Sequence, residues 1–189
     1  IIPWDCHVEY NYRKKNIGCN LNLLNGISFT FKNYDKAIFL EDDCHPNLSF
    51  FKFCENLLDK YENDKRISII SGVNFMHGIN NKDVLYKNYS YYFSSYNLIW
   101  GWATWKRTWN NFDFESKLEN DYLKSNLFLS KFNFYQRLIL KDFYSVMIQN
   151  KKSIWDQKFS LKTLSQNQYS IIPSKNLVTN VGGGDFATN

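Results

Sequence analysis

Apolar residues recur along this chain with two different periods. Val8, Tyr10 and Tyr12 alternate with polar residues, the spacing of a short strand. Over residues 20–31, Leu21, Leu24, Ile27, Ser28 and Phe31 fall near helical spacing. A continuous apolar run, Ala37-Ile38-Phe39-Leu40, then stops abruptly at Glu41-Asp42-Asp43. Such a run reads as a buried parallel strand whose C-terminal end opens into a site. Asn47, just after Pro46, is placed to cap the next helix. In that helix Phe50, Cys54, Leu57, Leu58 and Tyr61 form one apolar stripe. Residues 67–73 predict a second buried strand, closed by Gly72. Strand, helix and strand at this spacing predict a right-handed βαβ unit.

Further along, residues 78–90 are polar and turn-rich, and residues 91–93 read as a strand. Trp100-Gly101-Trp102-Ala103-Thr104-Trp105 is aromatic, with a hinge at Gly101. Periodicity is weak over residues 113–128. Phe132, Tyr135, Ile139, Phe143 and Met147 fit one face of a helix over residues 130–150, and another helix begins near Asp156. Residues 170–173 and 177–181 predict short strands, and Gly182-Gly183-Gly184-Asp185 a flexible loop. No repeat or linker interrupts the pattern, so residues 1–189 are expected to form a single domain with an α/β fold. Its sheet is expected to be mostly parallel and flanked by helices, with ligands at the strand C-terminal ends.

A length of 189 residues is enough for one sizeable core. The 44% hydrophobic and 22% charged composition excludes disorder. Net charge is +5 without a dense Lys/Arg run, which gives no support for nucleic-acid binding and suits a pyrophosphate substrate or an anionic membrane surface. Cys6, Cys19, Cys44 and Cys54 form no C-x-x-C pair. They are expected to be reduced thiols of a cytoplasmic chain, free or at the inner face of the membrane. No apolar run approaches the ~20 residues of a membrane span, and no signal peptide is visible.

Candidate chemistry centres on the carboxylates. Glu41, Asp42 and Asp43 repel one another, and a divalent cation removes that cost. Hard Mg²⁺ or Mn²⁺ commonly uses one or two carboxylates plus substrate phosphates. The alternative is a solvated acidic corner. Asp156, after Trp155, has two roles open to it: a helix cap, or a general base for an acceptor hydroxyl. Trp100, Gly101 and Trp102 form either a tight turn between core aromatics or a wall of the cleft, with Gly101 letting backbone approach a ligand. His7, His45 and His77 are scattered, and there is no Walker motif and no G-x-S-x-G elbow.

Taken together, several blocks resemble bacterial family-two-like glycosyltransferases. The strongest is Phe39-Leu40-Glu41-Asp42-Asp43-Cys44-His45-Pro46 followed by Ser49-Phe50-Phe51. Asn16-Ile17-Gly18-Cys19, Ile70-Ser71-Gly72-Val73-Asn74-Phe75, Tyr91-Tyr92-Phe93-Ser94, Ile99 to Trp105, Trp155-Asp156 and Asn176-Leu177-Val178 agree with it. The arrangement is more distantly similar to eukaryotic N-acetylglucosaminyltransferase I, which carries an EDD motif followed by a Trp-Asp pair. The resemblance implies a glycosyltransferase-A fold that starts after its first strand and helix. It also implies a transferase moving a sugar from a nucleotide-diphosphate sugar donor to a carbohydrate, lipid or protein acceptor by an inverting displacement. By analogy Asp43 would ligate Mn²⁺ or Mg²⁺, Glu41 and Asp42 would contact the ribose or hold the metal shell, and Asp156 would be the base. Asn189 stands where relatives carry a His. Two alternatives are a sugar-phosphate nucleotidyltransferase, which lacks its Gly-rich basic loop here, and a non-catalytic remnant of the fold.

Overall fold

The computed structural model describes residues 5–76, 88–113, 130, 132–149 and 155–182. The segments expected at 78–87 and 114–128, and His77, Asp185 and Asn189, lie outside the described residues.

Residues 5–18 have no regular secondary structure and pair with no strand among the described residues. The Val8-Tyr10-Tyr12 alternation therefore does not become the expected strand. Tyr10 and Tyr12 stay exposed and stack on each other at 5.6 Å. Helix α1 (Cys19–Asn33) follows and buries Ile27 and Phe31. Gly18 precedes it with φ 81, a conformation that favours glycine. After α1 come β1 (Lys36–Phe39), β2 (Cys44–Pro46) and α2 (Leu48–Lys60). Asn47 caps α2, its side chain accepting from the Phe50 amide at 3.1 Å. Such a cap contributes ~1 kcal/mol. Phe50, Cys54, Leu57 and Leu58 are buried along one face, as their spacing predicts. Full burial of the Phe50 ring adds ~1.5–3 kcal/mol.

The chain continues through β3 (Ile67–Ser71), β4 (Tyr91–Ser94), β5 (Trp102–Trp105), the helical turn α3 (Lys106–Trp109), α4 (Phe134–Gln149), α5 (Trp155–Ser165), β6 (Tyr169–Pro173) and β7 (Val178–Asn180). Of the face predicted for α4, Phe132 is buried and Tyr135 is exposed, while the side chains of Ile139, Phe143 and Met147 lie outside the described residues; Leu140 is buried.

The main sheet has the order β1-β5-β3-β6-β4. It is mixed, and the expectation of a mostly parallel sheet is wrong. β1 with β5, β5 with β3, and β4 with β6 are antiparallel, and only β3 with β6 is parallel. The physical reason lies in β5. All four of its residues are buried, so its sequence reads as a buried strand in either direction. It inserts between β1 and β3, which therefore run the same way without touching as a βαβ pair. β1 is an edge strand among the described residues and only half-buried, not a buried central one.

Alternate residues of β5 face opposite sides of the sheet. Ala103 and Trp105 join Phe50, Cys54, Leu57 and Leu58 of α2 on one side. Trp102 joins Ile27 and Phe31 of α1 and Trp155 and Phe159 of α5 on the other. The sheet is thus sandwiched by helices, and β1, β3 and β6 end at one common edge. The aligned register Phe39, Trp102 and Ser71 marks that edge. Among the described residues no helix is long and apolar enough to cross a membrane.

Candidate functional site

Glu41, Asp42 and Asp43 follow β1 at this edge, and main-chain bonds hold them there. The Gly72 amide donates to the Gly101 carbonyl at 2.7 Å. The Leu177 and Val178 amides donate to the Gly72 carbonyl. Val178–Asn180 then pairs antiparallel with Cys44–Pro46, and the Val181 amide donates to the Asp43 carbonyl at 3.0 Å. Both glycines in this chain of bonds are required. Gly101 has φ 64, and a Cβ on Gly72 would run into the Val178 side chain, the Gly101 carbonyl and the Phe50 ring. The acidic loop is therefore built on ordered backbone drawn from four places in the sequence.

The carboxylates differ in setting. Glu41 and Asp43 are half-buried and Asp42 is exposed. Asp43 accepts a bond from the Cys44 thiol at 3.6 Å. Its carboxylate lies against Gly182, where any Cβ would overlap it. Glycine at 182 thus leaves room for the Asp43 carboxylate, and the Asn180 side-chain oxygen lies at the same spot.

Asp156 sits in the first turn of α5 and is half-buried. One carboxylate oxygen accepts from the Gln157 amide at 2.8 Å, which is the bond of a local cap. The carboxylate nevertheless belongs to the same neighbourhood as the acidic loop. Burial raises the Glu41 carboxyl above its ordinary value, and the charges of Asp43, Asp156 and Asp42 push it further. Burial also raises Asp156, opposed by the amides of Gln157 and Asp156. Cys19, at the start of α1, is raised by burial and then by Glu41, Asp156 and Asp42. Three elements, the loop after β1, the start of α1 and the start of α5, thus converge.

No protein-family model and no curated protein matches the chain.

The two tryptophans of the Trp-Gly-Trp turn differ in burial. Trp100 is 42% exposed and meets Phe75 edge to face at 5.0 Å. Trp102 is buried and packs on Phe39 at 4.9 Å and on Trp155 at 5.9 Å. Its ring supports the residue before Asp156 from within the core. A cleft of about 430 Å³ is lined by Arg13, Lys15, Asn16, Gly18, Cys19 and Asn22, among others. It shares Cys19 with the carboxylate neighbourhood and adds two cations to its border. Nothing in the chain's periodicity places Cys19 or its neighbour Asn20 beside Asp156. That pairing is a long-range contact, and the one local sign was the Asn16-Ile17-Gly18-Cys19 block.

Among the described residues no group of three or more His, Cys, Asp or Glu side chains is arranged to hold a metal. The carboxylates present suit a hard cation that takes one or two protein oxygens and completes its shell from phosphate and water. Asp43 and Glu41 are the half-buried oxygens at hand.

The carboxylate repulsion has a measurable consequence. A carboxyl raised in the fold holds more protons folded than unfolded. Its stabilising contribution is therefore present at acid pH and lost as pH rises from the ordinary value of 4.5 through the raised one. Glu41→Gln removes that penalty. The metal-free variant is expected to melt higher than wild type at neutral pH, with the difference closing below pH 4.5. Thermal melts across pH check this, and a variant that melts lower at neutral pH would show that Glu41 is satisfied by a partner.

Proposed function

We propose that the chain is a glycosyltransferase-A-type enzyme that moves a sugar from a nucleotide-diphosphate sugar to an acceptor hydroxyl with inversion, in the cytoplasm. The observation that carries this reading is the acidic loop Glu41-Asp42-Asp43 at the common end of the co-directional strands β1, β3 and β6, with the starts of α1 and α5 tied together by the Trp155 amide and Asn20 Oδ1. A transferase of this kind needs negative charge for a cation and positive charge for phosphates. The acidic loop carries the carboxylates, and Arg13 and Lys15 line a cleft that also takes in Cys19.

Asp43, with Glu41 beside it, would hold Mn²⁺ or Mg²⁺. When bound, the ion offsets the charge that develops on the departing nucleoside diphosphate. Arg13 and Lys15 border the space for the diphosphate, and Asp42, exposed, faces the sugar-nucleotide side. Trp100, exposed after the acidic loop's supporting turn, would meet the substrate, while Trp102 acts from the core by holding Trp155. Asp156 takes the proton from the acceptor hydroxyl as its oxygen bonds to the anomeric carbon and the bond to the diphosphate oxygen breaks. Burial suits this task, because a carboxylate raised above its ordinary value of 3.8 is a stronger base.

Incubation with a panel of sugar nucleotides and Mn²⁺ tests the reading. Transfer, or slow hydrolysis without acceptor, is expected. Pyrophosphate release from a nucleoside triphosphate and sugar phosphate would point to nucleotidyl transfer instead, and silence with every donor would leave a non-catalytic domain.

A further inference from the structure

We infer that Asn20 is a positioning residue for Asp156: from the first turn of α1 its side-chain oxygen holds the amide that starts α5, and so fixes where the carboxylate points. This rests on the reading of Asp156 as the base. The Trp155 amide donates to Asn20 Oδ1 at 3.3 Å, across 135 positions of sequence. The first amides of a helix have no partner within it. Usually the residue just before the helix supplies one. Here the acceptor comes from another helix, so the bond also ties α1 to α5 at their N-terminal ends.

Those ends meet where the charges converge. Cys19, next to Asn20, is raised by burial and then by Glu41, Asp156 and Asp42. From the other side the Trp155 ring is fixed by Trp102 at 5.9 Å, Trp109 at 6.3 Å and Phe159 at 6.3 Å. Ring packing sets where α5 begins, and the Asn20 bond sets how its first turn is directed. Asp156 is bound to the Gln157 amide, so its carboxylate moves with that turn. Without the Asn20 oxygen the turn is free to rotate away from Glu41 and Cys19.

Cys19 supplies a readout independent of turnover. Cys44 and Cys54 are buried, so in a Cys6→Ser background Cys19 is the accessible thiol. Asp156→Asn removes a negative charge near it, which favours the thiolate and speeds alkylation by iodoacetamide at mildly alkaline pH. A double-mutant cycle then compares that acceleration with Asn20 present and with Asn20→Ala. The acceleration is expected to fall by at least about half in the Asn20→Ala background, by the coupling such cycles detect. It should persist with Asn20→Asp, which keeps an acceptor oxygen. Equal acceleration in all three backgrounds would overturn the inference. In turnover, Asn20→Ala is expected to lower kcat roughly ten- to hundredfold, the cost of a small misplacement, with donor KM little changed. Asn20→Asp should restore kcat, with the acid limb of the pH profile moved upward by the added charge, which joins Glu41 and Asp42 beside Asp156 and Cys19. A loss confined to KM, or one equal in both variants, would contradict the inference. A wild type that turns over no donor sinks the glycosyl-transfer reading, and the thiol cycle then decides by itself whether Asn20 holds Asp156.

Discussion

Asp43→Ala is expected to abolish Mn²⁺-dependent binding of a nucleoside diphosphate while leaving the fold intact. The fold should survive because Asp43 is half-buried, and its side chain takes part in a weak bond from the Cys44 thiol. The Asp43 main chain, which accepts from Val181, is untouched by the substitution. Loss of the charge also relieves Glu41, on which Asp43 exerts the largest of the three repulsions. The melting temperature should therefore stay near that of wild type, since changes of this kind usually stay within about 0.5 kcal/mol. Binding has no such insurance. Among the described residues no third ligand stands ready to replace the lost oxygen. Calorimetry with Mn²⁺ and nucleoside diphosphate, wild type against Asp43→Ala, separates the outcomes. Unchanged binding would remove Asp43 from the metal site.

Asp156→Asn carries the second large effect. It is expected to cut turnover by roughly 10²–10⁴-fold, the range for a lost general base, with donor binding retained. The asparagine keeps an oxygen for the Gln157 amide, so the start of α5 remains capped. That makes the substitution selective: a residue that only caps would tolerate it almost silently, and a base would not. The same chemistry fixes the wild-type pH profile. The base works ionised, and burial raises its pKa, so the acid limb should lie above the ordinary carboxylate value of 3.8. Steady-state rates across pH check both points, and a near-wild-type rate for Asp156→Asn would assign it to the helix alone.

What was legible in the sequence was mostly local. α2 was readable because its stripe and its Asn47 cap lie within one segment, and both are found as expected. The acidic corner was readable because Ala37-Ile38-Phe39 ends at Glu41-Asp42-Asp43, and it does stand at the common edge of β1, β3 and β6. Strand direction was not readable. Trp102–Trp105 is buried on both faces, and a strand of that kind carries no sign of which neighbours it will take. The Val8-Tyr10-Tyr12 alternation failed for a related reason, since a period of two marks the wish for a partner and not its presence. At the site, the sequence placed Trp100 and Trp102 together, but the turn at Gly101, with φ 64, separates them: Trp102 enters the core with Trp155 and Trp100 is left exposed. The Asn20–Trp155 bond and the Gly182–Asp43 contact join residues more than a hundred positions apart, beyond the reach of any local pattern.

The central claim is that the loop after β1, which would hold the cation, opens into one site with the start of α1 and the start of α5. Paramagnetic broadening by Mn²⁺, recorded on the isotope-labelled chain with nucleoside diphosphate present, tests it most directly. The account predicts that Cys19, Asp43, Cys44, Asp156 and Gly182 broaden first and together. Arg66 and Tyr169, at the opposite ends of β3 and β6, should stay sharp. Broadening that spares Asp43 and Asp156, or that spreads evenly over the surface carboxylates, would contradict it.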